Sequence, residues 1–335
     1  MTLQNKKMWA HIAGVVTSVI WGTTFISTKV LLNGFDPFAV LLYRFLIAYV
    51  ALSIIKPKPV SFEGWKKEFW YMISGFTGVT LYFLCENVGL TYTLASNASV
   101  IVSTAPMFTA LLAFLFLKNE KPKPYFFMGF VVAMAGIILI SYSGKTTFQL
   151  NPIGDLLALG AAMVWAVYSV IVKKHIDMSK NMIAITKRII FYGIITMLPI
   201  CLATDMKVDW NLMMQGTNMA NFIYLGIGAS ALCYVTWNYS MEILGAVKAS
   251  LYIYVVPVIT IVVSIFVLDE SITLPKVMGV VLTIMGLFIS EKKQKSEREE
   301  QVFEDQNFVP EFPEMSGMEP VMELTEELNG QNNLD

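Results

Sequence analysis

The chain has 335 residues; 56% are hydrophobic, only 15% are charged, and the formal net charge is -1. A soluble domain carries about 25% charged residues, and mean hydropathy here is +0.60, which excludes an ordinary soluble enzyme and, with it, a nucleic-acid-binding domain. The charge is unevenly split: residues 1–290 hold 20 Lys+Arg against 12 Asp+Glu, whereas residues 291–335 hold 4 against 13.

In chain order, Lys6 and Lys7 precede a stretch, 8–32, that is too long for a cleavable signal and lacks an A-x-A-like site, so it is expected to stay as a first membrane span. About 20 apolar residues cross a bilayer as a helix, and that criterion predicts ten spans: 8–32, 37–56, 69–91, 95–117, 125–143, 154–173, 182–202, 221–242, 246–268 and 275–290. Short connections with turn or cap chemistry join them, including Asn33-Gly34-Phe35-Asp36-Pro37 and Asn151-Pro152. The segment 291–335 is acidic and proline-interrupted and is expected to be a disordered tail; no partner is assigned to it.

The spans repeat. Trp21 and Arg44 stand 23 residues apart, as do Trp165 and Arg188. Asn87, Ala95 and Pro106 recur as Asn238, Ala246 and Pro257, and Gly129 and Gly136 recur as Gly279 and Gly286. The domains expected are therefore a first five-helix repeat, 8–145, a second, 152–290, and the tail, 291–335. Five spans per copy is odd, so the second copy enters the membrane from the opposite side: inverted repeats, an architecture of secondary transporters with the binding site between the halves. With both termini placed inside, 17 Lys+Arg lie on the cytoplasmic side and 3 (Lys145, Lys207, Lys276) on the other, a strong positive-inside signal.

The order Trp21-Gly22, Lys29, Pro37, Arg44, then Ala95, Pro106 and Phe116-Leu117-Lys118-Asn119-Glu120, is repeated by Trp165, Lys173, Arg188, Ala246, Pro257 and Leu268-Asp269-Glu270. This pattern resembles the drug/metabolite transporter superfamily, specifically ten-helix transporters with two EamA-type domains, over about residues 8–290. The resemblance implies an all-α polytopic membrane protein that exports or exchanges a small metabolite such as an amino acid, with drug export as an alternative. Ala166 stands where the first copy has Gly22, and the acidic tail is outside the family pattern.

Several residues are candidates for a central cavity. Trp21 and Thr24, and Trp165 and Tyr168, sit near the middles of spans one and six; Trp237 and Asn238 lie on span eight, and Tyr82 and Glu86 share a face of span three. Ser99 and Ser103 lie on one face of span four, where Ser250 and Tyr254 are their counterparts on span nine. Small hydroxyls either line a polar cavity or let helices pack closely. Pro106 and Pro257 each remove a backbone donor and are expected to kink their helices as paired hinges. Within spans, Lys29, Arg44, Glu86, Lys187 and Arg188 must face protein or water. Glu86 is read either as an ion-pair partner of Arg44 or Lys29, or as a carboxylate for proton coupling; Arg44 is also a candidate to hold a substrate carboxylate.

Catalytic chemistry is not indicated. Ser143-Gly144-Lys145-Thr146 lacks the first glycine of a phosphate loop, there is no G-x-S-x-G elbow, and His11 and His175 form no metal pair. Cys85, Cys201 and Cys233 give no disulfide framework. The sequence therefore predicts a transporter whose partners are a small organic solute and the lipid bilayer, with no cofactor, no metal and no nucleic acid. The rival is a non-transporting scaffold or sensor acting through the acidic tail.

Overall fold

The computed structural model describes residues 3–58, 62–117, 124–141, 151–204, 209–267 and 277–290, together with Pro122, Met206 and residues 274–275. The tail, the Lys118-Asn119-Glu120 and Leu268-Asp269-Glu270 motifs and the Ser143–Thr146 segment lie outside the described residues. Every described element is helical. Among the described residues ten helices longer than ten residues follow one another, with a one-turn helix, Trp210–Met213, before the eighth: α1 (Leu3–Leu32), α2 (Pro37–Ile55), α3 (65–92), α4 (95–116), α5 (Pro124–Ser141), α6 (Pro152–His175), α7 (Met182–Ala203), α8 (Gly216–Leu244), α9 (246–267) and α10 (Val277–Ser290). Seven are long and apolar enough to cross a membrane, and the shorter apolar helices are Pro124–Leu139 in α5 and α10. The remaining one, α3, carries Lys66, Lys67, Glu68 and Glu86.

Local chemistry starts the helices where they start. The Asp36 side chain accepts from Phe38 N at 2.8 Å with Pro37 in the first turn, and Asn181 caps Ala184 N at 3.2 Å. Asn151 does the same for α6, which has Asp155 in its first turn and Lys173, Lys174 and His175 in its last, matching the helix dipole at both ends. Several helices outrun their predicted spans at polar ends. Apolarity marks the bilayer core, whereas helix length is set by caps, so α3 begins at 65 rather than 69 and brings Glu68 into the helix.

The outward surface is apolar. Ile54 is 75% exposed, Leu202 81% and Phe266 79%. Such a surface suits hydrocarbon, and the polar groups lie inside instead.

The two repeats interleave. α1 packs on α8 and α9; correspondingly α6 packs on α3 and α4. α2 packs on α8, and α7 packs on α3. Repeat-matched glycines permit these approaches: a Cβ on Gly75 would lie 2.5 Å from Ile189 O on α7, and one on Gly226 would lie 2.5 Å from Ile47 on α2. At the far side of the bundle α5 meets α10 through Gly129, Gly136 and Gly286, where a Cβ would lie within 2.6 Å of the facing backbone.

Two irregularities also recur in both copies. In α3, residues Phe76–Leu81 form a π-helical turn, and in α8 Tyr224–Leu232 do. The wide register ends with Tyr82 N on Thr77 O and Cys233 N on Gly228 O, which are equivalent positions. The next carbonyls, Gly78 and Ala229, fall where the ladder returns from five-residue to four-residue steps and one acceptor is skipped. In α4 the α-helix breaks at Ser103 and Thr104, just before Pro106; in α9 it tightens to a 3-10 turn at Leu251–Tyr254, just before Pro257.

The glycine contacts predict a clear contrast. Gly136→Ala places a methyl 2.5 Å from Thr283 N, on a backbone that cannot yield, and should destabilise the detergent-solubilised protein by about 1–3 kcal/mol. Gly160→Ala, whose nearest neighbour would be Cys85 Sγ at 4.0 Å, should be neutral or stabilising. Thermal unfolding of the two variants side by side checks this.

Candidate functional site

The two repeat-matched tryptophans meet at the centre. Trp21 of α1 and Trp165 of α6 stand edge-to-face, 5.1 Å between ring centroids and 88° between planes. Around them pack Trp237, 5.0 Å from Trp21, Tyr82, 4.9 Å from Trp165, and Tyr168, 5.0 Å from Trp165. Edge-to-face contacts between such rings add to the burial they bring.

A cavity opens beside this cluster, lined by Trp21, Thr24, Phe25, Tyr82, Phe83, Glu86, Val102, Trp165, Ile253 and Val256. Both repeats contribute to its wall. Its volume is about 30 Å³, on a scale where one water needs ~10–15 Å³, so in this conformer it holds a few waters and no amino-acid-sized solute. Glu86 is the only formally charged group on the wall. Trp165 presents an indole N–H with no hydrogen-bond partner. Thr24 spends its hydroxyl proton on Trp21 O at 2.7 Å.

Of the residues singled out from sequence, Trp21, Thr24, Tyr82, Glu86 and Trp165 come together on this wall. Phe25, Phe83, Val102, Ile253 and Val256 are wall residues that sequence reasoning missed. They are ordinary apolar side chains in apolar helices, and nothing in their spacing separates them from core. The serine face is spent elsewhere: Ser99 Oγ donates to Ser96 O at 2.8 Å and Ser103 Oγ to Ser99 O at 2.7 Å, each bonded back to its own helix. Tyr254 lies among the side chains of a separate cluster with Phe130.

Tyr168 and Asn238 form a buried polar link just beyond the tryptophans. Tyr168 OH donates to Asn238 Oδ1 at 2.9 Å, and Asn238 Nδ2 donates to Thr186 Oγ1 at 3.1 Å. Trp237 is fully buried with its N–H unpartnered.

The expected ion pair of Glu86 with Arg44 or Lys29 is not formed. Lys29 Nζ donates to Leu90 O at 2.5 Å and Thr93 O at 3.1 Å, closing the carbonyl end of α3. Arg44 is fully buried; its Nε donates to Ser230 Oγ at 2.9 Å and its guanidinium lies 4.2 Å from the Phe83 ring centre, with both terminal nitrogens unpartnered. Phe83 is thus the partition between Arg44 and the cavity. Lys187 faces protein: it is buried and donates to Lys56 O at 2.5 Å, because the open carbonyls at the end of α2 offer a nearer partner than water.

The end of the bundle at which α1 begins is tied across the repeats. The carboxylate of Glu68 on α3 pairs with Arg188 on α7, with side chains 5% and 16% exposed, and accepts from Tyr192 OH at 2.5 Å. Trp70 of α3 stacks flat on His175 of α6 at 3.5 Å. Just before α3, Glu63 bonds Lys67 of its first turn and lies 3.6 Å from Lys180; the Lys67 ammonium holds the Glu63 carboxyl below its ordinary range. At the opposite end the cross-repeat tie is Thr93 Oγ1 to Asp155 at 3.0 Å. Glu68 went unnoticed in the sequence because it falls just outside the apolar window of its span. Among the described residues no group of His, Cys, Asp and Glu is placed to hold a metal ion.

Comparison with known proteins adds to this geometry. The model of the EamA-like transporter family matches residues 8–142 and again 152–291. An uncharacterized transporter of Archaeoglobus fulgidus is 28% identical over 85% of this chain and 98% of its own length. A protein of Streptantibioticus cattleyicolor named as a probable terminal-alkyne amino-acid exporter is 27% identical over 88% of this chain and 97% of its own. A solved crystal structure superposes with a TM-score of 0.67 at 19% identity, covering 86% of this chain and 98% of that one, and so shares the fold.

The Glu68–Arg188 pair is nearly dry, so removing one partner takes the opposite charge away from the other. Glu68→Gln and Arg188→Gln should each lower stability by on the order of 3 kcal/mol. The double variant should cost clearly less than the two single losses combined, as thermal unfolding in detergent would show; strict additivity would mean that the pair carries no coupling.

Proposed function

We propose, from the premise that the chain belongs to the EamA-like transporter family, that it moves a small organic solute by alternating access, exporting an amino acid or a related metabolite. The observation that carries this reading is the cavity between Trp21 and Trp165, walled by both repeats and holding one carboxylate, Glu86. Its chemistry suits an amphipathic solute: aromatic faces for an apolar body, an indole N–H to donate, and a carboxylate to receive an ammonium group or a proton. The relative named as a probable amino-acid exporter supports the substrate class. Pro106, just after a break in α4, and Pro257, just after a 3-10 turn in α9, serve in this reading as the paired hinges about which the halves rock. The cross-repeat tie of Glu68 to Arg188 closes one end and must part when that end opens.

We further propose that both ends of the chain face the cytoplasm of a cell whose inner or plasma membrane holds the protein. The 17-to-3 distribution of Lys+Arg supports this orientation. Reporter fusions after residues 60, 120 and 178 should then report internal, and fusions after 34, 148 and 212 external. A fusion at 148 reporting the same side as one at 120 refutes the orientation.

The transport reading is tested with labelled solutes. Cells expressing the protein should release particular amino acids or amines from a panel faster than cells expressing none. Glu86 then separates coupling from scaffolding. Glu86→Gln should fold and lose the pH dependence of flux, and Glu86→Asp should keep part of it. A Gln variant with the wild-type pH profile would remove Glu86 as a proton carrier.

A further inference from the structure

The two repeats are alike in sequence and packing but not in the bonds they make, and the differences fall into matched pairs. On the α1 side, Trp21 Nε1 donates to Ala229 O of α8 at 3.1 Å, and Thr260 Oγ1 of α9 donates to Gly22 O of α1 at 2.7 Å. Both bonds tie α1 to the second repeat.

The equivalents on the α6 side follow from the repeat spacing. Trp21 corresponds to Trp165, Ala229 to Gly78, Thr260 to Thr109 and Gly22 to Ala166. The corresponding helices do pack together: α6 lies on α3 and α4, and a Cβ at Gly78 would run into the Tyr168 ring. Yet neither bond is made. Trp165 Nε1 has no partner, and Thr109 Oγ1 donates only to Ala105 O of its own helix, at 2.9 Å. The acceptor that Trp165 lacks is occupied: Gly78 O takes the Tyr234 hydroxyl. The counterpart of Tyr234 in the first repeat is Phe83, which has no hydroxyl, so nothing competes with Trp21 for Ala229 O.

We propose that Trp165 and Thr109 are a second pair of ties, open in this conformer, which close when the carrier faces the other way: Trp165 Nε1 then donates to Gly78 O, displacing Tyr234, and Thr109 donates to Ala166 O, while the Trp21–Ala229 and Thr260–Gly22 bonds part. This rests on the alternating-access reading. Inverted repeats exchange roles between the two facing states, so bonds made in one copy mark the bonds due in the other. The skipped carbonyls of the two π turns make the exchange feasible. Each is an acceptor that its own helix does not use, so a donor can be swapped there without unravelling the ladder. A buried indole N–H left unpartnered costs more than one that is bonded; here it marks the vacant half of the pair.

The test reads which way the cavity faces. Cys85, Cys201 and Cys233 are replaced by Ala, Val102→Cys is introduced on the cavity wall, and the protein is reconstituted in liposomes. Labelling by an impermeant maleimide is then measured from each side. Thr→Val and Tyr→Phe remove one hydroxyl at nearly constant shape, and Trp→Phe removes the indole N–H and keeps a single aromatic ring. Trp21→Phe and Thr260→Val should shift the ratio of labelling from the two sides in one direction. Trp165→Phe and Thr109→Val should shift it in the other. Each change should be about two- to tenfold, as the loss of one net hydrogen bond implies. Tyr234→Phe, which frees Gly78 O, should shift the ratio as Trp21→Phe does. The proposal is overturned if Trp165→Phe and Trp21→Phe move the ratio the same way, or if Trp165→Phe and Thr109→Val leave it unchanged while the parent protein is labelled from both sides. A parent labelled from one side only, under every condition, overturns the alternating-access reading and this proposal with it.

Discussion

Within hydrocarbon there is no water to accept a stray hydrogen bond, so each polar group must find its partner inside the protein. Much of this molecule follows from that constraint. Lys29 and Lys187 bend inward to the open carbonyls of α3 and α2. Ser99, Ser103 and Thr109 bond back to their own helices. The skipped carbonyls of the π turns are met by Trp21 and Tyr234. Against that background Trp165 on the cavity wall and Arg44 behind it keep unmatched groups, as do Trp237 and the Tyr254 hydroxyl off it. A group that the fold leaves unsatisfied is available to a change of conformation or a visitor.

The interleaving of the repeats gives that availability a mechanical setting. Neither five-helix copy encloses the cavity alone, since Trp21 and Glu86 come from one copy and Trp165 and Ile253 from the other. The helices that cross between copies also bear the local departures from α geometry: π turns in α3 and α8, a break before Pro106 in α4 and a 3-10 turn before Pro257 in α9. Departures of this kind are where a helix bends at least cost. Rigid, glycine-packed contacts such as α5 on α10 lie away from them.

The fold was legible in the sequence to the extent that it depends on apolarity and repetition. Ten spans, their order and the pairing of Trp21 with Trp165 could be read from residue spacing, because tryptophan in mid-span and a shared 23-residue interval are uncommon. The cavity was only half legible. Glu86 and Tyr82 declare themselves by chemistry, whereas Phe25, Phe83 and Val256 differ from lipid-facing neighbours only in direction. Charges misled where the backbone offered a nearer partner than another side chain: Lys29 was expected near Glu86 and went to Leu90 O and Thr93 O. The π turns were illegible, since a segment such as Phe76–Leu81, with Gly78 its one glycine, is equally compatible with a regular helix.

The contact of α5 with α10 has a particular symmetry. Gly129 meets Gly286, and Gly136 meets Gly279; under the repeat, Gly129 becomes Gly279 and Gly286 becomes Gly136, so each contact is the other's image. That reciprocity, in which i touches j and j touches i, is the mark of an isologous two-fold interface between identical subunits. The chain thus carries within itself a seam with the reciprocity of such an interface, between halves that lie in opposite orientations. Within one polypeptide the halves can differ, and Phe83 at the position of Tyr234 and Ala166 at the position of Gly22 are differences that no symmetric dimer of one gene product can hold.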